Sequence, residues 1–238
     1  MKLAILTDIH GNAPALKAVL RALDERGDVE EIYSLGDQIG IGPHTNEVLE
    51  ELFARPRVKL LAGNHEEAVL HLLDGKGVLR GHEQALEHHT WVVERLDRRF
   101  ADRLQDLPRS REAELGNSRM LLLHYHLTPE GLASIDPEPS GEKLDRRYAG
   151  TPYGLVAFGH HHPVHWFETA HRLYVNPGAL GCHTRPTARY AIVEAGPDGR
   201  WRAELHEEPY DKSLLVKAYE EAGVPDRDFL LKAFHGVG

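Results

Sequence analysis

Five short apolar segments of this chain each end beside a residue that can bind a metal ion. The segments span residues 3–6, 32–35, 58–62, 120–123 and 155–158. Continuous apolar segments of this length are typical of strands that are buried on both faces of a sheet. In open α/β sheets, ligands bind just beyond the carboxyl ends of such strands. We therefore expect the residues that follow the five segments to meet at one site.

The residues that follow these segments carry oxygen and imidazole donors. They are Asp8, His10, Asp37, Asn64, His65, His124, His160, His161 and His162. Such a donor set, which contains no thiolate, suits manganese, iron, zinc, cobalt or nickel and argues against a cysteine-type structural zinc site. The sequence therefore predicts a metal-dependent hydrolase.

Each of these motifs is weak when it is considered alone. Asp8 and His10 are separated by one residue, so both side chains point the same way if the strand pleat continues. Gly36-Asp37 is a frequent turn dipeptide. Because all five motifs follow apolar segments in order, a joint chance match is improbable, and we interpret them as one site.

The size and charge of the chain favour one globular domain with a small ligand. At 238 residues with 41% hydrophobic content, the chain is long enough to bury a sizeable core as one α/β domain. A formal net charge of −9 disfavours an extended grip on nucleic acid, which normally shows as a basic surface. The sequence leaves the oligomeric state open.

Cysteine usage and hydropathy favour a cytoplasmic protein. The single cysteine, Cys182, cannot form an intramolecular disulfide and is compatible with a reducing compartment. No apolar stretch approaches the roughly 20 residues that a membrane-spanning helix needs. The chain also begins directly with a predicted strand instead of a signal sequence.

Strands and helices alternate in the first half of the chain. Apolar residues at helical spacing predict helices over 13–26 and about 45–54, between the strands that begin near residues 3, 32 and 58. Strands joined in this way form a parallel sheet with right-handed crossovers. Residues 66–107 are predicted to be mostly helical and to cap the sheet beside the site.

Strand signals follow one another closely in the second half of the chain. They span residues 113–115, 120–124, 155–158, 164–167, 173–175, 188–193 and 201–206. This spacing predicts a largely antiparallel or mixed sheet. Residues 128–141 are the most loop-like stretch, and two helices are expected within about 211–235. We expect residues 1–238 to form a single domain.

The ordered motifs resemble those of the calcineurin-like metallophosphoesterases. The resemblance is carried by Asp8-Ile9-His10-Gly11-Asn12, Gly36-Asp37, Gly63-Asn64-His65-Glu66, His124 and Gly159-His160-His161-His162. Segments 36–43 and 176–179 are further similar to the small bacterial and archaeal phosphodiesterase branch. The resemblance covers nearly all of residues 1–194. It implies an α/β fold with four layers, α/β/β/α, in which two mixed sheets are flanked by helices.

The resemblance also implies a site for two divalent transition-metal ions. Manganese is the first expectation, and iron, zinc, nickel and cobalt stay open. The implied ligands are Asp8, His10 and His162 for one ion, Asn64, His124 and His160 for the other, and Asp37 as the bridge. The carboxylate of Asp37 suits this role because it has two oxygens and a charge that offsets ion repulsion.

The implied reaction is hydrolysis of a small phosphate ester or nucleotide by attack of a metal-bridging hydroxide. His65 is expected to be the catalytic residue outside the metal ligands, where it stabilises the transition state or protonates the leaving alkoxide. A phosphodiesterase is the leading prediction. The alternative is a nucleotide-binding regulatory or scaffold protein that uses the same fold without significant turnover. A nuclease would need a basic track, which the acidic balance of the chain does not indicate.

The remaining polar residues have weaker signals. His161 lies between two predicted ligands and is expected to point away from them by strand alternation. A second carboxylate that many relatives have after the Gly-Asp motif is replaced here by Gly40. Three residues are predicted as substrate contacts, namely His44, His126 and Arg185. Four histidines in the charged helical region are expected to be solvated, namely His71, His82, His88 and His89.

Overall fold

The computed structural model describes residues 1–115 and 118–238, which form twelve strands and eight α-helices. In chain order the elements are β1 (Lys2–Leu6), α1 (Ala13–Arg26), β2 (Val29–Ser34), α2 (Thr45–Phe53), β3 (Val58–Leu60), α3 (Asn64–Leu73), a 3-10 helix (Glu83–Ala85), α4 (Leu86–Arg95), α5 (Arg98–Gln105), β4 (Ser110–Leu115), β5 (Ser118–Leu123), β6 (Leu127–Thr128), β7 (Gly131–Leu132), α6 (Gly141–Arg147), β8 (Tyr153–Ala157), β9 (His165–Glu168), β10 (Leu173–Asn176), β11 (Thr187–Ala195), β12 (Trp201–Pro209), α7 (Lys212–Glu221) and α8 (Arg227–His235).

The strands form two five-stranded mixed sheets and one small hairpin. The first sheet has the order β12-β11-β1-β2-β3, in which β1, β2 and β3 are parallel and β11 is antiparallel to both neighbours. The second sheet has the order β4-β5-β8-β10-β9, in which β8 is parallel to β5 and to β10. The predictions of a parallel first half and a mixed second half are both confirmed.

Alternate residues of β1 pack into different layers, which explains its continuous apolar sequence. Leu3 and Ile5 belong to a core that also contains Leu122 and Leu155 of the second sheet. Ala4 and Leu6 instead pack with the helices on the outer face of the first sheet. On the outer face of the second sheet, α6 contributes the buried Leu144 to a separate cluster. The four-layer α/β/β/α architecture is therefore confirmed.

Local signals fix the first crossover helix, α1. The Asn12 side chain caps the helix by accepting a hydrogen bond from the Ala15 N–H at 3.1 Å. The helix ends at Gly27, whose φ of 70° is in the left-handed region that a glycine adopts without strain. Between these ends, the residues at helical spacing are fully buried against the sheet. The observed helix matches the predicted range.

The C-terminal helices pack beside the loop between β2 and α2. Leu215 and Tyr219 of α7 share a hydrophobic cluster with Ile39 and Ile41 of that loop. The Tyr219 hydroxyl donates a hydrogen bond of 3.0 Å to the Ile41 carbonyl. Because the loop follows the strand that carries Asp37, α7 and α8 lie next to the predicted site.

Two local features differ from the sequence expectations. Residues 128–141 were expected to be a loop, but they include the β6–β7 hairpin and lead into α6. The Ser140 hydroxyl caps this short helix by accepting from the Lys143 N–H, a signal that its Pro-rich surroundings obscure.

Within the described residues, none of the helices is both long and apolar enough to cross a membrane.

Candidate metal centre

The ends of five strands from two sheets bring the predicted metal ligands together. Strands β1, β2 and β3 of the first sheet lead to Asp8 and His10, to Asp37 and to Asn64. Strands β5 and β8 of the second sheet lead to His124 and to the segment 160–162. The two carboxylates and the imidazoles of His10 and His124 are almost completely buried. The site is therefore formed where the two sheets meet.

The backbone at these strand ends is left-handed at several non-glycine residues. The φ angles of Asp8, His10, Asp37 and His160 are 53°, 48°, 53° and 66°. Such residues each cost about 1–3 kcal/mol and persist where the surrounding structure holds them, often at functional sites. The expected reason for the shared direction of Asp8 and His10 is therefore wrong, because a turn and not the strand pleat orients them.

The first group of donors surrounds the imidazole of His10. Its Nε2 atom lies 3.0 Å from the Nε2 atom of His162. The same atom is 3.8 Å from Oδ1 of Asp8 and 3.8 Å from Oδ2 of Asp37. Four predicted ligands thus turn donor atoms toward one point.

The second group of donors surrounds the imidazole of His124. Its Nε2 atom lies 2.9 Å from Oδ1 of Asn64 and 3.2 Å from Nδ1 of His160. The Oδ2 atom of Asp37 is also 3.2 Å away. Asp37 is therefore common to both groups, as a bridging ligand must be.

Backbone carbonyls fix the direction of two of the imidazoles. The Nδ1 atom of His124 donates to the Leu35 carbonyl at 3.0 Å, and Nδ1 of His10 donates to the Ile39 carbonyl at 3.3 Å. A proton is thereby kept on Nδ1, so that Nε2 faces the donor group. The Asp37 carboxylate raises the pKa of His124 to about 9, so a metal ion would displace a proton from Nε2 of this ring when it binds.

The donor groups fit divalent metal ions. Two ligands that each lie about 2.1 Å from one ion are roughly 3.0–3.4 Å apart, which is close to the shorter separations within the two donor groups. Among the described residues, the ion-pair partners of the buried Asp8 and Asp37 carboxylates are histidines. Buried carboxylates need a compensating charge or metal coordination. Facing imidazole nitrogens and buried carboxylates both favour bound cations.

A buried carboxylate that the sequence prediction did not single out holds two of these loops in place. The side chain of Glu66 accepts hydrogen bonds from four backbone N–H groups, those of Asp37, Gln38, Ile39 and Gly63, at 2.7–3.1 Å. Burial and the nearby Asp37 carboxylate raise the pKa of Glu66 to about 7, against the effect of these donors. Glu66 therefore links the loop after β2 to the start of α3.

His65 lies beside the donor groups, and one of its ring nitrogens is within 4.8 Å of donor atoms of His10 and Asp37. Its backbone N–H donates to Oδ1 of Asp37 at 2.9 Å, and its ring is 5.0 Å from the ring of His10. The Nδ1 atom of His65 is 2.9 Å from Nε2 of His89. Burial lowers the pKa of His65 to about 4. An imidazole in this place can contact a group that is bound at the metal centre.

Two histidines of α4 are buried, and the prediction that they are solvated is wrong. His88 is 6% exposed and His89 is fully buried, whereas His71 and His82 are partly exposed. The signal for burial was present, because His89 lies three residues before Val92 and seven before Leu96 on one helical face. The polar character of histidine concealed it.

A cavity of about 320 Å³ opens onto the donor groups. Its walls combine predicted site residues with four apolar residues that are far apart in sequence. They are Asp37, Ile41, Asn64, His65, Ile135, His160, His161, His162, Pro163 and Phe234. The ring of Phe234 on α8 is 5.9 Å from the ring of His162. The C-terminal helix thus contributes to the cavity. The sequence did not predict this contribution, because α8 is far along the chain from the metal-binding motifs.

The three predicted substrate contacts make their hydrogen bonds away from this cavity. His44 Nδ1 donates to the Gly11 carbonyl, and buried His126 is hydrogen-bonded to the Tyr148 hydroxyl at 2.9 Å. Arg185 is exposed and forms an ion pair with Glu207. None of the three is among the described residues that line the cavity. The structure therefore does not bring them to the candidate site.

His161 and Asn176 support the segment that follows β8. The residues around His161 form a turn, so strand alternation does not set its direction. Its ring bonds to His165 at 2.9 Å while it also borders the cavity. The Asn176 side chain donates to the carbonyls of Gly159 and His161 at 3.3 and 2.7 Å. Asn176 thus holds the turn that carries His160 and His162.

Comparison with known proteins gives one family match and several relatives. A family model for the calcineurin-like phosphoesterase superfamily domain matches residues 1–197. A symmetrical bis(5'-nucleosyl)-tetraphosphatase of Paracidovorax citrulli is 31% identical over 174 residues, which are 71% of this chain and 60% of that protein. An uncharacterized protein of Methanocaldococcus jannaschii is 40% identical over 68 residues, which are 29% of this chain and 27% of its own length. The matches thus span less than two thirds of each relative.

The fold is shared with a solved structure along almost the whole chain. The crystal structure of a metallophosphoesterase from Sphaerobacter thermophilus matches with a TM-score of 0.72 and 24% sequence identity. The match covers 97% of each chain. At this identity, the likeness supports the fold alone.

The first prediction concerns the Glu66 carboxylate. Glu66→Gln places an amide N–H against backbone N–H donors, so we expect the free energy of unfolding to fall by about 2–4 kcal/mol. The measurement is urea denaturation at pH 8, where Glu66 is ionised in the native protein. Glu67→Gln is the matched control, because Glu67 pairs with Arg109 at the surface and its loss should cost under about 1 kcal/mol. Equal losses in both variants would refute the role of Glu66.

The second prediction concerns the shared carboxylate. Asp37→Asn removes the charge that both donor groups share, so we expect most of the bound metal of both groups to be lost. Elemental analysis after loading with Mn²⁺ and dialysis measures the content per chain. Asp28→Asn, at a surface ion pair with Lys2, should keep the wild-type content. Wild-type metal content in Asp37→Asn would show that Asp37 is not a bridging ligand.

Proposed function

The chain belongs to the calcineurin-like phosphoesterase superfamily, and from this membership we propose that it is a two-metal phosphodiesterase acting on small phosphate esters or nucleotides. One observation carries the proposal most strongly, namely that two groups of donors share Asp37. Two divalent ions that share a bridging carboxylate suit in-line displacement at phosphorus. The nearby His65 adds a group that can contact the reacting phosphate.

The proposed ligands are those whose donor atoms converge. Asp8, His10 and His162 would hold one ion, Asn64, His124 and His160 the other, and Asp37 both. When bound, such ions polarise phosphoryl oxygens and lower the pKa of a water molecule. Manganese is the proposed metal, since oxygen and imidazole donors suit it, while iron, zinc, nickel and cobalt also fit this set.

Hydrolysis requires a new bond between phosphorus and a water oxygen, while the bond to the leaving oxygen breaks. One proton of the water stays on the product or enters solvent, and the leaving oxygen gains a proton. His65 can assist in two ways. It can donate a hydrogen bond to the phosphoryl group, or it can transfer a proton to the leaving oxygen. Both roles need its Nε2 atom to carry a proton and face the cavity.

The cavity supports a substrate with an apolar part beside its phosphate. Ile41, Ile135, Pro163 and Phe234 border the cavity together with the donor groups. A nucleotide fits this chemistry because it joins a charged phosphate to a base with a flat apolar face. A relative that is a bis(5'-nucleosyl)-tetraphosphatase supports a nucleotide as well. We therefore propose small nucleotide esters and anhydrides as the substrate class.

The third prediction tests the reaction. Protein that has been stripped with a chelator should hydrolyse bis-p-nitrophenyl phosphate after Mn²⁺ is added and should be inactive before it. The diester should be hydrolysed faster than the monoester p-nitrophenyl phosphate, which is measured in parallel. Metal-dependent turnover of the monoester alone would refute the diesterase proposal. Inactivity toward both esters and toward a dinucleoside tetraphosphate, with each candidate metal, would refute phosphoester hydrolysis.

A matched variant separates metal binding from turnover in this assay. His65→Ala should keep the wild-type metal content because His65 is outside the proposed ligand set. Its kcat should fall by about 100-fold or more, since one catalytic group at the reacting phosphate is lost. A wild-type kcat in His65→Ala would remove His65 from the mechanism.

The fourth prediction tests the substrate class. Phe234→Ala removes an aromatic face from the cavity, so the KM for a dinucleoside tetraphosphate should rise by about tenfold with little change in kcat. Phe229→Ala is the control, because Phe229 lies on the same helix but is 66% exposed. An unchanged KM in Phe234→Ala, or an equal rise in both variants, would contradict a base-binding role for Phe234.

A further inference from the structure

The fully buried His89 of α4 makes a direct contact with the proposed catalytic residue. Its Nε2 atom lies 2.9 Å from Nδ1 of His65, within hydrogen-bonding distance. The two rings are nearly perpendicular, with centroids 5.0 Å apart. This contact joins α4 to the start of α3, and neither of its two histidines belongs to the proposed set of metal ligands.

Gly40, in the loop after β2, also lies against the His65 ring, but it has no side chain that could form a hydrogen bond with the ring. A Cβ atom at position 40 would overlap Nδ1 of His65, and the φ of Gly40 is 80°. The loop after β2 can therefore approach His65 closely only with glycine at this position. Among the described residues, His89 is the one that forms a hydrogen bond with the His65 ring. A hydrogen bond that orients the His65 ring therefore comes from His89 of α4.

The surroundings of His89 decide which of the two rings donates. The Nδ1 atom of His89 is buried and makes no hydrogen bond to any described residue. A buried N–H without a partner is rarer in proteins than an acceptor that lacks one. The proton of His89 is therefore better placed on Nε2, from which it can be donated to Nδ1 of His65. Burial, which lowers the pKa of His89 to about 3, keeps the ring singly protonated.

We propose that His89 is a positioning residue that donates a hydrogen bond to His65 and thereby fixes its orientation and tautomer. Because Nδ1 of His65 accepts this bond, the proton of His65 is held on Nε2. Nε2 is therefore the nitrogen that can donate a hydrogen bond to a group bound in the cavity that His65 lines. The inference rests on the proposed phosphoesterase function for its kinetic consequence, but the hydrogen bond itself does not.

The tautomer also decides between the two roles of His65. A neutral imidazole that carries its proton on Nε2 would become an anion if it gave that proton away. It can instead donate a strong hydrogen bond to a phosphoryl or leaving oxygen without losing its proton. The arrangement with His89 therefore assigns His65 as a hydrogen-bond donor, and the leaving oxygen takes its proton from water.

The kinetic test compares three variants of α4 by kcat, KM and metal content. His89→Ala should lower kcat by about 10- to 100-fold and leave KM and metal content unchanged. His89→Gln should restore kcat to within about fivefold of wild type, because the glutamine Nε2 atom is the same number of bonds from the backbone and also donates. His88→Ala controls for lost packing, since His88 is adjacent and buried but stacks on Trp91. It should keep kcat within about twofold.

The outcomes of this comparison are distinct. Equal losses of kcat in His89→Ala and His88→Ala, or no recovery in His89→Gln, would show that His89 has only a structural role. A wild-type kcat in His89→Ala would also overturn the proposal. Thermal unfolding of each variant identifies any that fails to fold, and the comparison of His89→Gln with wild type then decides alone.

A spectroscopic test measures the tautomer directly. The side-chain nitrogens of Zn²⁺-loaded, ¹⁵N-histidine-labelled protein report protonation by NMR, and the signals of His65 are those lost in His65→Ala. Wild type should show a proton on Nε2 of His65 and none on Nδ1, whereas His89→Ala should show a mixture. A proton on Nδ1 of His65 in wild type would overturn the proposal. This result stands even if the protein hydrolyses no phosphoester, so the two proposals can fail separately.

Discussion

The arrangement of the candidate site depends on one buried carboxylate. Glu66 accepts backbone N–H groups from the loop after β2 and from the residue that precedes α3. These bonds hold Asp37 at a fixed place relative to Asn64 and His65. Hydrogen bonds to an ionised acceptor are stronger than those between neutral groups, and their loss in a buried place is costly. A group that binds neither metal nor substrate in the proposed scheme thus sets the geometry of the groups that do.

The two-sheet fold explains why the donor atoms converge. Asp8 and Asp37 follow parallel strands of one sheet, whereas His124 and His160 follow strands of the other. The facing sheets therefore supply donors from both sides of Asp37. The left-handed backbone at several of these residues is tolerated because neighbouring loops bond to it, as where His10 N–H donates to the Asp37 carbonyl at 2.9 Å. The left-handed backbone of these residues and the packing of the two sheets thus meet at the same place, the ends of the strands that carry the donors.

Much of this arrangement could be predicted from the sequence, because each ligand follows an apolar strand. That rule requires no knowledge of how the strands pair, and it placed Asp37 and the histidines near one another. His89 and Phe234 were missed for a different reason. Helical periodicity indicates that this face of α4 is buried, but it does not reveal that α4 packs on α3 or that Phe234 of α8 borders the cavity. Arg185 pairs with Glu207 and does not line the cavity, and the sequence alone does not distinguish an arginine that binds phosphate from one that forms a surface ion pair.

The central claim is that two ions share the carboxylate of Asp37. Crystals grown with Mn²⁺ test it most directly, because anomalous diffraction locates manganese independently of the protein atoms. The account predicts two anomalous peaks, one on each side of the Asp37 carboxylate and about 3.5–4 Å apart. A single peak, or two peaks of which one lies away from Asp37, would contradict it.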